Sequence, residues 1–181
     1  MFFIVRVRFL AGYRGREWPP SPARLFKAFV AVSRNGLPGI TTAQADEALR
    51  WIEGRAPILL ATRASEQWPR LRRFVPNNSI VDPKTGEPEW PTRRASKEEE
   101  LIRSWHIDAP CEVAYAWEVA SQNRELAILQ SIARRLPSLG KGEDFVVAQA
   151  EFTEQIPGNM MRYEPGASAE GFTLEVRRKG A

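Results

Sequence analysis

Residues 17–36 read EWPPSPARLFKAFVAVSRNG, and the fold turns on this stretch. Pro19, Pro20 and Pro22 are barred from a helix interior, yet proline is at home in a helix's first turn. Ser21 followed by Pro22 therefore predicts an N-cap and the first helical position. Gly36 and Pro38 predict the stop. At 100° per residue, Leu25, Phe26, Phe29, Val30 and Val32 share one broad face. Arg24, Lys27 and Arg34 fall on the opposite face. The helix thus buries one side and presents a short basic stripe on the other, either as a solvated face or as a contact surface.

The preceding residues 2–10, FFIVRVRFL, alternate as a strand. Phe3, Val5, Val7 and Phe9 point to a core, which leaves Arg6 and Arg8 side by side on the open face of a sheet. Such a basic sheet face suits a nucleic acid, and equally an ordinary solvated surface. Residues 11–16, AGYRGR, form a glycine-rich loop. Its glycines allow close backbone approach to a ligand. Tyr13 could stack on a base, and Arg14 and Arg16 could clamp a phosphate. No Gly-Lys-Ser/Thr follows, so this is not a Walker loop.

Beyond the first helix, residues 41–54 predict a second, capped by Thr41 or Thr42 and ended by Gly54, with Ala45, Ala48, Leu49 and Ile52 inward. Residues 57–63 read as a short buried strand. Residues 64–105 change character to polar, proline-rich and irregular, with Arg70, Arg72 and Arg73 clustered near the start and a hairpin tip at 82–88. A segment of this length predicts a protruding arm between two core strands, or disorder over 82–100. Residues 111–119 alternate as a strand, residues 122–136 form a third helix ended by Pro137, and 144–152 form another strand after the loop Gly140-Lys141-Gly142. Along that strand Phe145, Val147, Gln149 and Glu151 share one face. The tail is loop-rich, with Phe172, Leu174 and Val176 suggesting one last short strand. Without the second helix and the arm the order is βαββαβ. This predicts an α+β, ferredoxin-like (RRM-like) domain over 1–155, an arm inserted at about 64–105, and a C-terminal tail over 156–181.

The 181 residues suffice to bury a core without staples. Cys111 is the single cysteine, which excludes an internal disulfide and suits a reducing, cytoplasmic setting. The start MFFIVRVRF lacks a signal-peptide layout, and no apolar run approaches the roughly 20 residues of a membrane span. The sequence therefore points to no membrane partner. The net charge of +4 divides unevenly: residues 1–73 carry 13 Lys+Arg against 5 Asp+Glu, and residues 74–181 carry 13 against 17. Arginine outnumbers lysine 21 to 5. Guanidinium binds phosphate bidentately and stacks on bases, so this asymmetry favours a nucleic-acid partner. A GC-rich genome would explain the arginine excess but not the asymmetry.

Two segments together resemble a known family. The opening strand, its loop and EWPPSPARLFKAFVA, followed later by LPSLGKGEDFVVAQAEF, are similar to the N-terminal half of the CRISPR-associated fusion proteins of type I-G (formerly I-U) interference systems. These join a Cas-five-like to a Cas-six-like module of the RAMP superfamily. The glycine loop departs from the family's usual Leu-Gly-Arg-Ser-Glu-Ser: Gly140 and Glu143 keep the pattern, while Lys141 and Gly142 replace Arg and Ser. The resemblance spans about the whole chain and about the first half of the family's usual length; the RNA-cutting Cas-six-like half is not in this sequence. It implies a subunit of a Cascade-type complex that binds the crRNA 5′ handle and caps the backbone. Partners would be the backbone subunit, the large subunit, a Cas-six-like module and, through the complex, target DNA.

The RNA-contact candidates are Arg6, Arg8, Tyr13, Arg14, Arg16, Arg24, Lys27, Arg70, Arg72, Arg73 and Lys141. The alternative is a metal-independent endoribonuclease that processes repeat RNA. It would need a base and a charge-stabilising group, for which the only histidine, His106, with Tyr115 or Lys141 are the candidates. The residues favour the non-catalytic role. No cofactor motif is present. The consecutive Glu98, Glu99 and Glu100 point in different directions on a helix and do not make a metal site.

Overall fold

A computed structural model describes residues 1–15, 17–76, 97–108, 110–140, 142 and 144–163. The elements in chain order are β1 (Phe2–Phe9), α1 (Pro22–Arg34), α2 (Thr42–Glu53), β2 (Ile58–Ala61), β3 (Ala64–Pro76), β4 (Lys97–Ile107), β5 (Glu112–Glu118), α3 (Arg124–Ala133), β6 (Val146–Thr153) and β7 (Met161–Tyr163). Five strands form one sheet in the order β6-β1-β5-β2-β7, and β3 and β4 form a separate hairpin. Every pairing is antiparallel. Taken without the arm and β7, the order β6-β1-β5-β2 is that of a ferredoxin-like βαββαβ domain. The fold is therefore α+β, as the periodicities predict.

The alternation in β1 sets the two layers. Phe3, Val5, Val7 and Phe9 face the three helices and join Leu25, Phe29, Ala48, Leu49, Ile52, Leu126, Leu129 and Ile132 in the main core. On the other face, Ile4, Leu60, Ala114 and Ala116 form a smaller buried cluster, covered in part by Ile156 and Met160. That face is thus not open along its length. Residues 154–160 lead from β6 to β7, which pairs with β2 at the far edge of the sheet.

The proline-rich segment before α1 is fastened into this core. Trp18 is buried, and its indole N–H donates to the Thr62 carbonyl at 2.9 Å. The fully buried Tyr115 hydroxyl donates to the Pro20 carbonyl at 2.7 Å. Burial of its ring pushes the Tyr115 phenol well above its ordinary pKa. Pro22 stands at the first helical position, and Ser21 occupies the N-cap with extended backbone. The Ser21 side chain makes no capping bond; its hydroxyl is buried without a partner among the described residues. Its carbonyl accepts the Arg24 and Leu25 amides at 2.9 and 3.3 Å. Proline at N1 and the Trp18 and Tyr115 anchors thus set the helix start in place of a side-chain cap. At the other end, Gly36 takes φ +83°, the left-handed conformation open to glycine. Of the two predicted caps of α2 the structure uses Thr41, in a capping box with Gln44.

The segment read as an arm begins and ends as a hairpin. β3 pairs with β4 from Ala64↔Ile107 to Pro76↔Lys97, with a register irregularity between Gln67 and Leu71. Its root rests on the domain: Ala64, Trp105 and Ile107 pack against the core, and the Trp105 indole donates to the Gly15 carbonyl at 2.9 Å. The predicted tip at 82–88 and the strand predicted near Phe172 lie outside the described residues, while Glu98, Glu99 and Glu100 stand on β4 and not on a helix, because they pair with Val75, Phe74 and Arg73 of β3.

Two substitutions test these anchors. Phe29→Ala should lower unfolding free energy by about 3–5 kcal/mol through the cavity it opens. Tyr115→Phe should cost about 1–3 kcal/mol by leaving the buried Pro20 carbonyl unpaired. Urea denaturation measures both; an unchanged midpoint for Tyr115→Phe would mean that the EWPPSP segment does not depend on this bond.

Candidate nucleic-acid interface

Two glycine loops far apart in sequence meet at one end of the sheet. The first follows β1, and the second joins α3 to β6. Asp144 joins them: it is fully buried, and its Oδ1 accepts the backbone N–H of Arg14 at 2.9 Å. Tyr13 lies between the loops. Its ring is buried and packs against Phe9 at 5.1 Å and Trp18 at 5.4 Å between centroids. A Cβ on Gly15 would overlap the Tyr13 hydroxyl, and one on Gly140 would sit 2.6 Å from Asp144 Oδ2 and 2.9 Å from the Tyr13 ring. Gly140 also holds φ +120°. Gly15 is therefore demanded by the Tyr13 ring of its own loop, and Gly140 by that ring and Asp144 where the two loops meet.

This corrects the reading of Tyr13 as a base-stacking residue. Three aromatics in the span from Phe9 to Trp18 close on each other, and the tyrosine fills the gap between the loops instead of facing solvent. Burial pushes its phenol well above the ordinary range. Its hydroxyl has no hydrogen-bond partner among the described residues.

Beside the joined loops runs a cleft of about 290 Å³ between α1 and the residues leading into β6. Arg24, Lys27 and Asn35 line one wall, and Pro137, Ser138 and Gly140 line the other. Arg24 and Lys27 of the predicted basic stripe are thus set opposite the glycine loop. Arg24 Nε lies 3.2 Å from Glu17 Oε1, an ion pair that orients the guanidinium. Lys27 is exposed and has no ion-pair partner among the described residues. The third stripe residue, Arg34, turns away to pair with Asp46 of α2 at 2.8 Å.

The remaining candidates are distributed differently. Arg6 and Arg8 do lie on the sheet face away from the helices, but each faces a carboxylate on a neighbouring strand. Arg6 Nε is 2.8 Å from Glu151 Oε1, a close ion pair without the alignment of a hydrogen bond. Arg8 Nε is 3.6 Å from Glu112 Oε1. The expected bare basic face is therefore a face of ion pairs, because the antiparallel register places Glu151 and Glu112 beside the arginines. Arg14 is half-buried in the first glycine loop. Arg16 and Lys141 lie outside the described residues. Arg70, Arg72 and Arg73 are on β3, where Arg72 stands opposite Leu101 and Arg73 opposite Glu100. Sequence reading passed over Arg134 and Arg135, both exposed where α3 runs into the cleft wall. Their signal was present, since they fall on the polar face of the third helix.

The catalytic candidates do not assemble around Tyr115, whose hydroxyl is committed to Pro20 inside the core. His106 is on β4 opposite Ser65, in the root of the arm. Cys111 is half-buried, and burial pushes its thiol up to about 11, so it is protonated at neutral pH. Among the described residues no group of three His, Cys, Asp or Glu side chains could hold a metal ion, and no helix is long and apolar enough to cross a membrane.

The family profile of "CRISPR-associated protein, GSU0054 family" matches residues 2–176. The chain belongs to this family. It is a CRISPR-associated protein, and its role lies in CRISPR defence. The chain is also similar to a solved CRISPR protein from Archaeoglobus fulgidus, with 12% identity and a TM-score of 0.41, over 82% of this chain and 63% of that one. It thus spans less than two thirds of that relative's length. No functionally curated protein matches it. For this GSU0054-family member, the EWPPSP segment has a physical content. Trp18 and Pro20 are anchored, Pro22 opens α1, and Glu17 holds Arg24 at the cleft.

The packing between the loops is testable. Gly140→Ala should destabilise the protein by at least about 2 kcal/mol through strain and overlap. Tyr13→Phe should be neutral or slightly stabilising, since it removes an unpartnered buried hydroxyl. A Tyr13→Phe variant with a clearly lowered melting temperature would show that the hydroxyl has a partner in solution.

Proposed function

We propose that this chain is the N-terminal, Cas-five-like module of a type I-G interference complex, and that it grips the crRNA 5′ handle without cutting it. The observation that carries the reading is the cleft in which Arg24 and Lys27 face the Gly140 loop. A phosphate strand needs cations, backbone that a side chain does not obstruct, and a fixed wall, and these three occur together there. Arg134 and Arg135 extend the positive surface at the cleft's end. In this reading the β3–β4 arm, fixed at its root through Trp105, reaches the neighbouring backbone subunit. The module caps one end of the assembly, with the large subunit, a Cas-six-like module and target DNA met through the complex.

The test is binding of labelled single-stranded repeat RNA over a salt series. The wild-type chain should bind with a salt-dependent affinity. Lys27→Ala should weaken binding several-fold. It should also reduce the slope of log affinity against log salt by about 0.7 for each phosphate no longer neutralised. Denaturing gels of the same mixtures should show intact RNA. An unchanged affinity and slope for Lys27→Ala would remove the cleft from the site, and EDTA-resistant cleavage abolished by His106→Ala would replace this reading with the ribonuclease one.

A further inference from the structure

Among the described residues, an aromatic side chain left in solvent near the cleft is Phe145, 55% exposed. The alternation of β6 explains its orientation. Val146, Ala148 and Ala150 are buried in the main core, so Phe145 and Val147 point to the other face of the sheet. The Leu10 amide donates to the Phe145 carbonyl at 3.0 Å, which brings the end of β1 alongside. In the register of β1 with β6, Arg8 stands opposite Val147. The outer face therefore carries Phe145, Val147, Leu10 and Arg8 together, with Arg8 59% exposed.

This patch is continuous with the cleft. Phe145 forms a bridge with Ser138, a residue of the cleft wall. Leu139 N donates to Asp144 O and Val146 N to Pro137 O, each at 3.1 Å, on either side of that bridge. This is the geometry of a non-hydrogen-bonded antiparallel pair, in which opposite Cα atoms are about 4.5 Å apart and the side chains share a face. The ring of Phe145 is thus one strand away from the cleft residue Ser138, on the same side of the small hairpin.

Building on the RNA-binding reading above, we infer that Phe145 is a base-stacking platform at the exit of the Arg24–Lys27 cleft, over which single-stranded RNA passes toward Arg8. An exposed ring next to a cationic channel is the combination that single-strand binders use: cations track the phosphates, and a π-face takes a base whatever its identity. Arg8 supports the path. Its ion pair with Glu112 is long at 3.6 Å, and the arginine side chain is 59% exposed while that of Glu112 is 14% exposed, so the guanidinium can meet a phosphate from its solvent side while it stays beside the carboxylate. Val147 and Leu10 supply an apolar floor beside the ring.

The experiment uses the full chain and single-stranded repeat RNAs, intact or with one abasic nucleotide at successive positions, read by fluorescence anisotropy. Phe145→Ala and Phe145→Leu should each weaken binding of intact RNA about tenfold, with the salt slope unchanged because every phosphate keeps its cation. Phe145→Trp should keep the wild-type affinity. One abasic position should weaken wild-type binding by a similar factor and cost Phe145→Ala nothing further. The side chain is exposed, so the melting temperature should not move. Wild-type affinity in Phe145→Ala, with Lys27→Ala still impaired, would overturn the stacking role and leave the cleft standing. Wild-type RNA affinity in Phe145→Ala with weakened capture of a partner subunit would overturn it in favour of a protein-docking patch. Absence of salt-dependent binding by the wild-type chain would remove the RNA reading itself, and this inference with it.

Discussion

Asp144 is fully buried where the second glycine loop enters β6, and its carboxyl group accepts the Arg14 amide from the loop after β1. A carboxyl group removed from water has to be hydrogen-bonded, or its burial costs several kcal/mol. The contact therefore constrains both loops at once. Tyr13 is wedged beside it, and Gly15 and Gly140 are the residues small enough to close over the ring. The position of the Gly140 loop opposite α1, and hence the shape of the cleft, follows from this one junction. The helix wall is set independently by Trp18, Tyr115 and Pro22. The cleft is the space between two separately anchored walls.

Much of the fold was legible because its signals are local. Proline placement and a 3.6-residue period marked α1, and a threonine cap and the apolar side of α2 were read from the sequence as they stand in the structure. Period-two alternation marked β1, β5 and β6, and the resulting order is that of the ferredoxin-like sheet. What stayed hidden was information held in tertiary pairing. The ion pairs of Arg6 and Arg8 depend on the strand register, which puts Glu112 of β5 opposite Arg8 and Glu151 of β6 diagonal to Arg6, opposite Ile4, and no local pattern states that register. Tyr13 carried the chemistry of a stacking residue, but its neighbours Phe9 and Trp18 are far enough apart in sequence that their closure on it was not visible. β7 is three residues long and pairs only with β2, too little to show a period. Phe145 was within reach: it alternates in phase with Gln149 and Glu151, polar residues that mark the face turned from the helices.

A ferredoxin-like sheet with helices on one face is a scaffold shared by many functions, so the sheet alone decides nothing. The features that distinguish this chain are the fastened EWPPSP segment, the interlocked glycine loops and the rooted arm. In the proposed role all three serve one end, because Trp105 in the arm bonds to Gly15, Gly15 covers Tyr13, and Tyr13 contacts the Gly140 loop. The proposed grip and the root of the arm thus share one packed junction.

The most direct measurement is photo-crosslinking of single-stranded repeat RNA bearing 4-thiouridine to the wild-type chain, with the crosslinked peptides identified by mass spectrometry. Crosslinks are expected in two segments, 24–35 of α1 and 134–147 across the glycine loop, weakened together by high salt. Crosslinks confined to other surfaces, or salt-insensitive ones, would contradict the claim that the two anchored walls form one RNA groove.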